Sequence, residues 1–377
     1  MTMATSAHSS SKCDEVRIGA LVPLSRPGWF EAGCHLLAGM ERAARDINDS
    51  GGILGRRVDL VVRDTAGDPR RASQDVDEFV QLRVAAIAGE YHSVVARAAA
   101  ACSEAQGLPY LCSSAVIDAL TEQPTEWVAR LCPPQSLGWQ VFAEYLLRAG
   151  HTRVAAFQDP SIYWASGARI LRDAFDAGGG RFSVLETHAL DLERGLRELI
   201  DTGATALLLL VGWPEPALSI VRAVRRQTPL ARLLIGAPAG QPEFSEWEQA
   251  LGKDGAGVPF LSYLPEQLSP LGEAVTGSLR AQLGRQPSFV ALEGYDSMLV
   301  LAALLRARDA DSSCNVPAWG SLRVEGTRGH VRFSRMSDRA AWQWPDAPIQ
   351  VVDRDPTHTD RLRVLHAFTP SRVEMKD

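Results

Sequence analysis

Apolar and polar positions follow two rhythms along this chain, and the rhythms trade places repeatedly. Residues 16–22, VRIGALV, form a continuous apolar run of strand length, followed by the loop PLSRPGWFEAG. Leu36, Leu37, Met40, Ala43, Ala44 and Ile47 then recur at helical spacing, with Glu41, Arg42, Arg45, Asp46 and Asp49 on the opposite face. Gly51-Gly52 closes that helix, because the left-handed position past a last turn favours glycine. RVDLVVRD alternates as a strand does, and Asp68-Pro69 supplies the N-cap and first position of the next helix. A strand over 84–88, a helix from Ser93 and the strand LPYLCS continue the series.

A second series opens near residue 135. It runs helix LGWQVFAEYLLRAG, strand RVAAFQD, helix 165–177, strand FSVLE, helix 192–201, strand ATALLLLVG, helix 214–227 and strand ARLLIGA. Helices near 270–283 and 288–307 follow, and the tail GHVRFSR…IQVVDRD…RLRVLHAF reads as strands returning to both halves. Strands alternating with helices over two runs predict an α/β protein of two doubly wound, Rossmann-like lobes joined by a multi-crossing hinge. The expected division gives 16–134 plus 263–338 to the first lobe and 135–262 plus 345–370 to the second. Residues 1–15, polar and serine-rich, read as a disordered tail.

Composition narrows the function classes. At 377 residues, 46% apolar and 22% charged, the chain has the make-up of an ordinary globular protein. A formal net charge of −6 offers no basic footprint for nucleic acid. No stretch reaches the ~20 apolar residues that a membrane-spanning helix needs, so no membrane insertion is expected. The N-terminus lacks the apolar core of a signal peptide; the expected location is cytoplasmic as written, or periplasmic or extracellular if the start lies elsewhere. Six cysteines without CxxC spacing argue against zinc and against a disulfide framework, and Cys34 and Cys102, on apolar helix faces, read as buried free thiols. Eight dispersed histidines show no ligand pair, and GxxxxGK[ST], GxGxxG after a strand, HExxH and GxSxG are absent. GKDGAG precedes a strand rather than a helix, which disfavours a phosphate loop. No cofactor is implied, and the missing catalytic constellation argues against an enzyme.

In open α/β sheets, ligands sit beyond the carboxyl ends of the strands. The stretch GEYHS places Ser93 at a strand-to-helix turn beside His92. A nucleophile elbow needs glycines two residues either side of the serine, and here Tyr91 and Val95 stand there. Ser93 is therefore read as a ligand-binding hydroxyl at a helix start, with plain N-capping as the alternative. Ser113 and Ser114 follow the strand YLC, Tyr163 follows RVAAFQD, and Trp213 follows ALLLLV. Tyr91 and Trp29, in loops after first-lobe strands, complete the candidate ligand-binding set. Hydroxyls from one lobe facing aromatic surfaces from the other is the chemistry of a small-molecule site. Glu90 and Asp159 also lie near strand ends and read as solvated or capping carboxylates, with acceptance of a ligand ammonium as the alternative.

At this point the chain resembles the type I periplasmic-binding-protein family, in its branched-chain amino acid, amide and urea receptor group. IGALVPLS, AARDINDSGGILGRRVDLVVRDTAGDPRRA, GLPYLCSSA and EYLLRAGHTRVAAFQDPSIY carry the resemblance. It implies that Ser93 and Ser114 meet ligand oxygens, that Tyr163 closes over the ligand and that Trp213 lines the cleft. Two departures stand out: Val116 replaces a threonine, and the loop after LLIG reads APAGQPEF where amino acid receptors of the group use an acidic residue. Both positions usually receive an α-ammonium, so neutral amides or carboxylates are expected to bind at least as well as matching α-amino acids. The resemblance implies a solute-binding component of an ABC transporter, with a small polar ligand and a permease as partners. GEYHS, SIYW, GHVRFSRMSDR and RVLHAF are also similar to a cytoplasmic amide sensor of the family, which implies the alternative of a cytosolic sensor acting on a partner regulator.

Overall fold

The computed structural model describes residues 15–120, 124–186, 191–310, 316–335, 341–358 and 361–368. The apolar runs become two sheets. The first is assembled from β1 (Glu15–Val22), β2 (Arg57–Asp64), β3 (Ala86–Gly89), β4 (Tyr110–Cys112), β5 (Val128–Arg130) and β13 (Trp342–Gln343), in the order β13-β5-β4-β3-β1-β2 with every pair parallel. Ile18, Ala20, Leu21 and Val22 of β1 are fully buried, as a central parallel strand covered on both faces requires. α1 (Phe30–Asp49), α2 (Pro69–Gln81), α3 (Ser93–Gln106), α9 (Pro270–Leu283) and α10 (Phe289–Ala310) belong to this half. α1 and α10 pack closely because Gly39 faces the Ala291 carbonyl and Gly294 faces the Leu36 carbonyl, where a Cβ would collide with backbone.

The second sheet is β7-β6-β8-β9, all parallel, from β6 (Arg153–Gln158), β7 (Arg181–Glu186), β8 (Ala206–Leu210) and β9 (Leu234–Gly236). Its helices are α4 (Gln135–Arg148), α5 (Ile162–Ala177), α6 (Leu192–Thr202), α7 (Ala217–Arg226) and α8 (Ser245–Leu251). β10 (Phe260–Ser262), β14 (Ile349–Arg354) and β15 (Leu362–Phe368) form an antiparallel sheet alongside, where the Ala237 N–H donates to the Pro259 carbonyl at 2.8 Å. β11 (Arg323–Gly326) and β12 (Gly329–Arg332) pair as a hairpin near α10.

Among the described residues the chain crosses between the halves three times: after β5, after β10, and between β13 and β14. Buried polar ties hold these crossings. Arg130 Nε donates to Gln343 Oε1 at 2.6 Å and its Nη1 to the Ile117 carbonyl at 2.7 Å, while Gln343 Nε2 donates to the Cys132 carbonyl at 2.8 Å. Arg328 Nη1 donates to the Tyr263 carbonyl at 3.3 Å, and its guanidinium lies 5.2 Å from the Trp344 ring.

Several local expectations change. Helix α5 starts at Ile162 rather than 165, because the Ser161 hydroxyl caps it by accepting the Trp164 N–H at 3.2 Å. Tyr163 and Trp164 therefore occupy a first helical turn instead of a loop. The helix expected from 214 begins at Ala217. β5 and α8 are additional elements, too short for periodicity to reveal. Glu15 opens β1 rather than ending a tail, and the rest of that expected tail lies outside the described residues, as do Cys13 and Cys314. Cys34 and Cys102 are half-buried, not buried; Cys112 and Cys132 are the fully buried thiols. Among the described residues no helix is long and apolar enough to cross a membrane.

Candidate functional site

A cavity of about 270 Å³ lies where the carboxyl ends of both sheets face each other. The turn between β3 and α3 forms one wall. Glu90 is fully buried there: its Oε1 accepts the Thr65 hydroxyl at 2.7 Å, and its Oε2 accepts the His92 backbone N–H. His92 is the N-cap residue of α3, so Glu90 serves a helix start. It is a capping carboxylate but not a solvated one. The His92 ring accepts the Trp29 N–H on Nε2 at 3.2 Å, and Nδ1 lies 3.4 Å from Glu90 Oε2. Acceptance of the Trp29 N–H by Nε2 puts the proton of the neutral ring on Nδ1 and anchors Trp29 at the cavity.

Ser93 is the first residue of α3, one position past the cap, so plain N-capping is not its role. Its Oγ accepts the Ile117 N–H at 3.3 Å, which leaves the hydroxyl hydrogen to donate into the cavity. His92 Nε2 accepts the Trp29 N–H, and Nδ1 carries the proton of the neutral ring, so neither serves Ser93 as a base. The first turn of α3 adds backbone N–H groups beside Ser93, Val94 and Val95, a favourable setting for a ligand oxygen.

The walls are otherwise apolar and aromatic. Trp29 and Tyr91 lie with ring centroids 5.4 Å apart, Tyr163 and Trp164 4.7 Å apart, and Tyr263 and Phe289 5.1 Å apart. Burial pushes the Tyr91, Tyr163 and Tyr263 phenols up from their ordinary value, so all three stay neutral. Among the described lining residues, none is Asp, Glu, Lys or Arg. Val116 lines the cavity, and the loop after β9 presents Pro238 and Ala239. Glu243 of that loop stands behind them, its Oε1 accepting the Phe289 N–H at 3.2 Å; burial raises its carboxyl to about 7 against the pull of Arg354.

Trp29, Tyr91, Ser93, Ser114 and Tyr163 thus come together in one cavity. Ser113 and Trp213 do not. Ser113 is fully buried, its Oγ accepting the Gly89 N–H at 3.1 Å and lying 2.8 Å from Ser297 Oγ, so it ties a strand end to α10. Trp213 packs on Trp247 at 5.7 Å and donates its indole N–H to Glu246 at 3.1 Å; only its neighbour Gly212 reaches the cavity. Asp159 is a turn residue, accepting the Gly212 N–H at 2.8 Å. Sequence reasoning missed Tyr263, which follows β10 as Tyr163 follows β6, and Phe289 at the head of α10.

On one rim the two halves are clasped. Glu31 of α1 accepts the N–H groups of Ser245 and Glu246 at 2.7 and 3.1 Å, the start of α8 on the other half. Arg285 pairs with Glu31 and reaches Ser245 Oγ, and Arg26 pairs with Glu246 at 3.0 Å. These contacts tie the two halves together.

A family described as periplasmic binding protein matches residues 15–344. The chain is 24% identical over 331 residues to an amino acid binding protein of Pseudomonas aeruginosa, covering 82% of this chain and 84% of that one. It is 22% identical over 379 residues to Leu/Ile/Val-binding protein homolog 7 of Brucella melitensis, covering 93% and 94%. Among solved structures it superposes on a leucine binding protein from Thermotoga maritima with TM-score 0.78 at 19% identity, covering 94% of this chain and 99% of that one. A solute binding protein of an ABC transporter from R. palustris, in complex with benzoate, gives TM-score 0.77 at 17% identity, covering 94% and 97%. At these identities the structural likenesses establish the fold.

Proposed function

The chain belongs to the periplasmic binding protein family, and from that premise we propose that it is a non-enzymatic solute-binding protein, the ligand-capturing component of an ABC transporter. Its partners in this reading are one small ligand and a membrane permease. The observation that carries it is the cavity: enclosed between two hinged halves, walled by aromatic and aliphatic groups, and supplied with hydroxyl and backbone N–H donors at the start of α3. Closure of the two halves on ligand belongs to this reading, and the inter-lobe contacts of Glu31 support it. The amino acid, Leu/Ile/Val and benzoate proteins that this chain is similar to support a ligand with one polar end and an apolar body.

The acceptor end of the ligand meets Ser93 and the α3 N-terminus, and the apolar body lies among Trp29, Tyr91, Tyr163 and Phe289. Val116 offers no acceptor to an ammonium, and no lining carboxylate balances one, which is costly in a closed site. Neutral amides and carboxylates are therefore expected to bind at least as well as the matching α-amino acids. A thermal-shift panel tests this by presenting one side chain as amide, acid and amino acid in the same buffer. Stabilisation by the amino acid alone would contradict it.

A further inference from the structure

Glu293 and Ser114 stand on either side of the cavity wall with unmet hydrogen-bonding capacity. Ser114 lines the cavity and is 5% exposed; Glu293, on α10 behind it, is fully buried. Glu293 Oε1 accepts from Arg328 Nη1 at 3.2 Å. Among the described residues neither Glu293 Oε2 nor Ser114 Oγ has a hydrogen-bond partner, and the Ser114 hydroxyl is near enough to the Glu293 carboxyl to pull its pKa down. Two buried polar atoms left unpaired are costly, so the arrangement favours a bond between them that a ligand completes.

Resting on the solute-binding reading above, we propose that Glu293 is a specificity-determining residue that acts through Ser114, orienting its hydroxyl so that the wall accepts a hydrogen-bond donor from the ligand. With the Ser114 O–H turned onto the Glu293 carboxylate, the oxygen lone pairs point into the cavity. Ser93 has the opposite sense, since its Oγ accepts from Ile117 and its hydrogen faces the ligand. One donor hydroxyl and one acceptor hydroxyl on the same half match a primary amide, carbonyl to Ser93 and N–H to Ser114. A carboxylate, which has no donor, meets repulsion at Ser114.

The charge state of Glu293 sets the sense of the wall. Burial raises its carboxyl to about 7, opposed by Arg328 and by the Ser114 hydroxyl and reinforced by Asp296 and Glu243. Tyr91, Tyr263 and the Cys132 thiol also face it, all held neutral by burial. A donor-bearing ligand selects the ionised form, so its affinity is full above about pH 7 and falls as pH drops through that value. A carboxylate ligand shows the reverse trend, because protonated Glu293 donates to Ser114 and turns the serine hydrogen inward.

The test uses benzamide against benzoate, and 4-methylpentanamide against 4-methylpentanoate, titrated calorimetrically into the full chain. The amide-to-acid affinity ratio is expected to rise at least tenfold from pH 6 to pH 8. In Glu293→Gln the side-chain amide donates to Ser114, so the ratio should fall at least tenfold at pH 8 and lose its pH dependence. Ser114→Ala, which leaves the Arg328 contacts in place, should remove the preference as well and serves if Glu293→Gln does not fold. A ratio unchanged in folded Glu293→Gln or in Ser114→Ala, with binding still weakened in Ser93→Ala, would overturn this inference alone. Binding indifferent to Ser93→Ala, or no binding of either pair, would remove the site reading and this inference with it.

Discussion

Arg328→Met is expected to lower the unfolding free energy by about 3–5 kcal/mol at pH 8, the loss typical of stranding buried charge. Arg328 is fully buried, with Nε 3.0 Å from Asp296 Oδ2 and Nη1 3.2 Å from Glu293 Oε1. Methionine keeps much of the volume, so the effect isolates the charge. Burial already raises the Asp296 and Glu293 carboxyls above their ordinary values, and loss of the guanidinium removes what opposes it. A carboxyl raised in the folded state binds protons more readily there than in the unfolded chain, so stability is lost as pH rises through the folded value. The deficit of the variant should therefore shrink between pH 8 and pH 5. Denaturant unfolding at both pH values checks this; a loss below 1 kcal/mol at pH 8, or one independent of pH, would contradict the ion-pair assignment.

Ser93→Ala should weaken ligand binding by about 1–3 kcal/mol, a factor of roughly 5–150 in dissociation constant, because a ligand oxygen is left without its donor in a closed cavity. Stability should fall by about 1–3 kcal/mol, the cost of leaving the buried Ile117 N–H unpaired, without preventing folding. Calorimetry with any ligand that stabilises the protein separates the two effects. Unchanged affinity would remove Ser93 from the site.

The two-lobed α/β architecture was legible because its signals are local. Buried parallel strands such as VRIGALV read as unbroken apolar runs, and Asp68-Pro69 marks a helix start that the structure reproduces, with the Asp68 carboxylate accepting the Arg70 N–H at 2.8 Å. Ser93, Ser114 and Tyr163 were legible for the same reason, since strand ends in this fold point at the cleft. What failed depends on partners distant in sequence. The Trp213 indole turns away because Glu246, 33 residues on, accepts its N–H. Ser113 looks identical to Ser114 locally, yet alternation along the chain sends it to Ser297 on α10. The loop APAGQPEF does carry a carboxylate, but Glu243 is engaged by the Phe289 backbone and stands behind Pro238 and Ala239. Glu293 and Asp296 left a visible trace, two acids three residues apart in the otherwise apolar helix FVALEGYDSMLVLAALL. Their partner Arg328 is about thirty residues away in a hairpin turn that no periodicity joins to them.

The central claim is that a small ligand is bound inside the inter-lobe cavity, and a blocked cavity tests it most directly. Ala239 is half-buried and lines that space, so Ala239→Trp fills it while leaving the sheets and the clasp untouched. A ligand at 100 times its dissociation constant stabilises a folded protein by about 2.7 kcal/mol. The measurement is the thermal shift of wild type and Ala239→Trp with the same ligand at that concentration. The account predicts the full shift in wild type and none in the variant, whose unliganded melting stays near that of wild type. An equal shift in both proteins would place the ligand elsewhere and contradict the account.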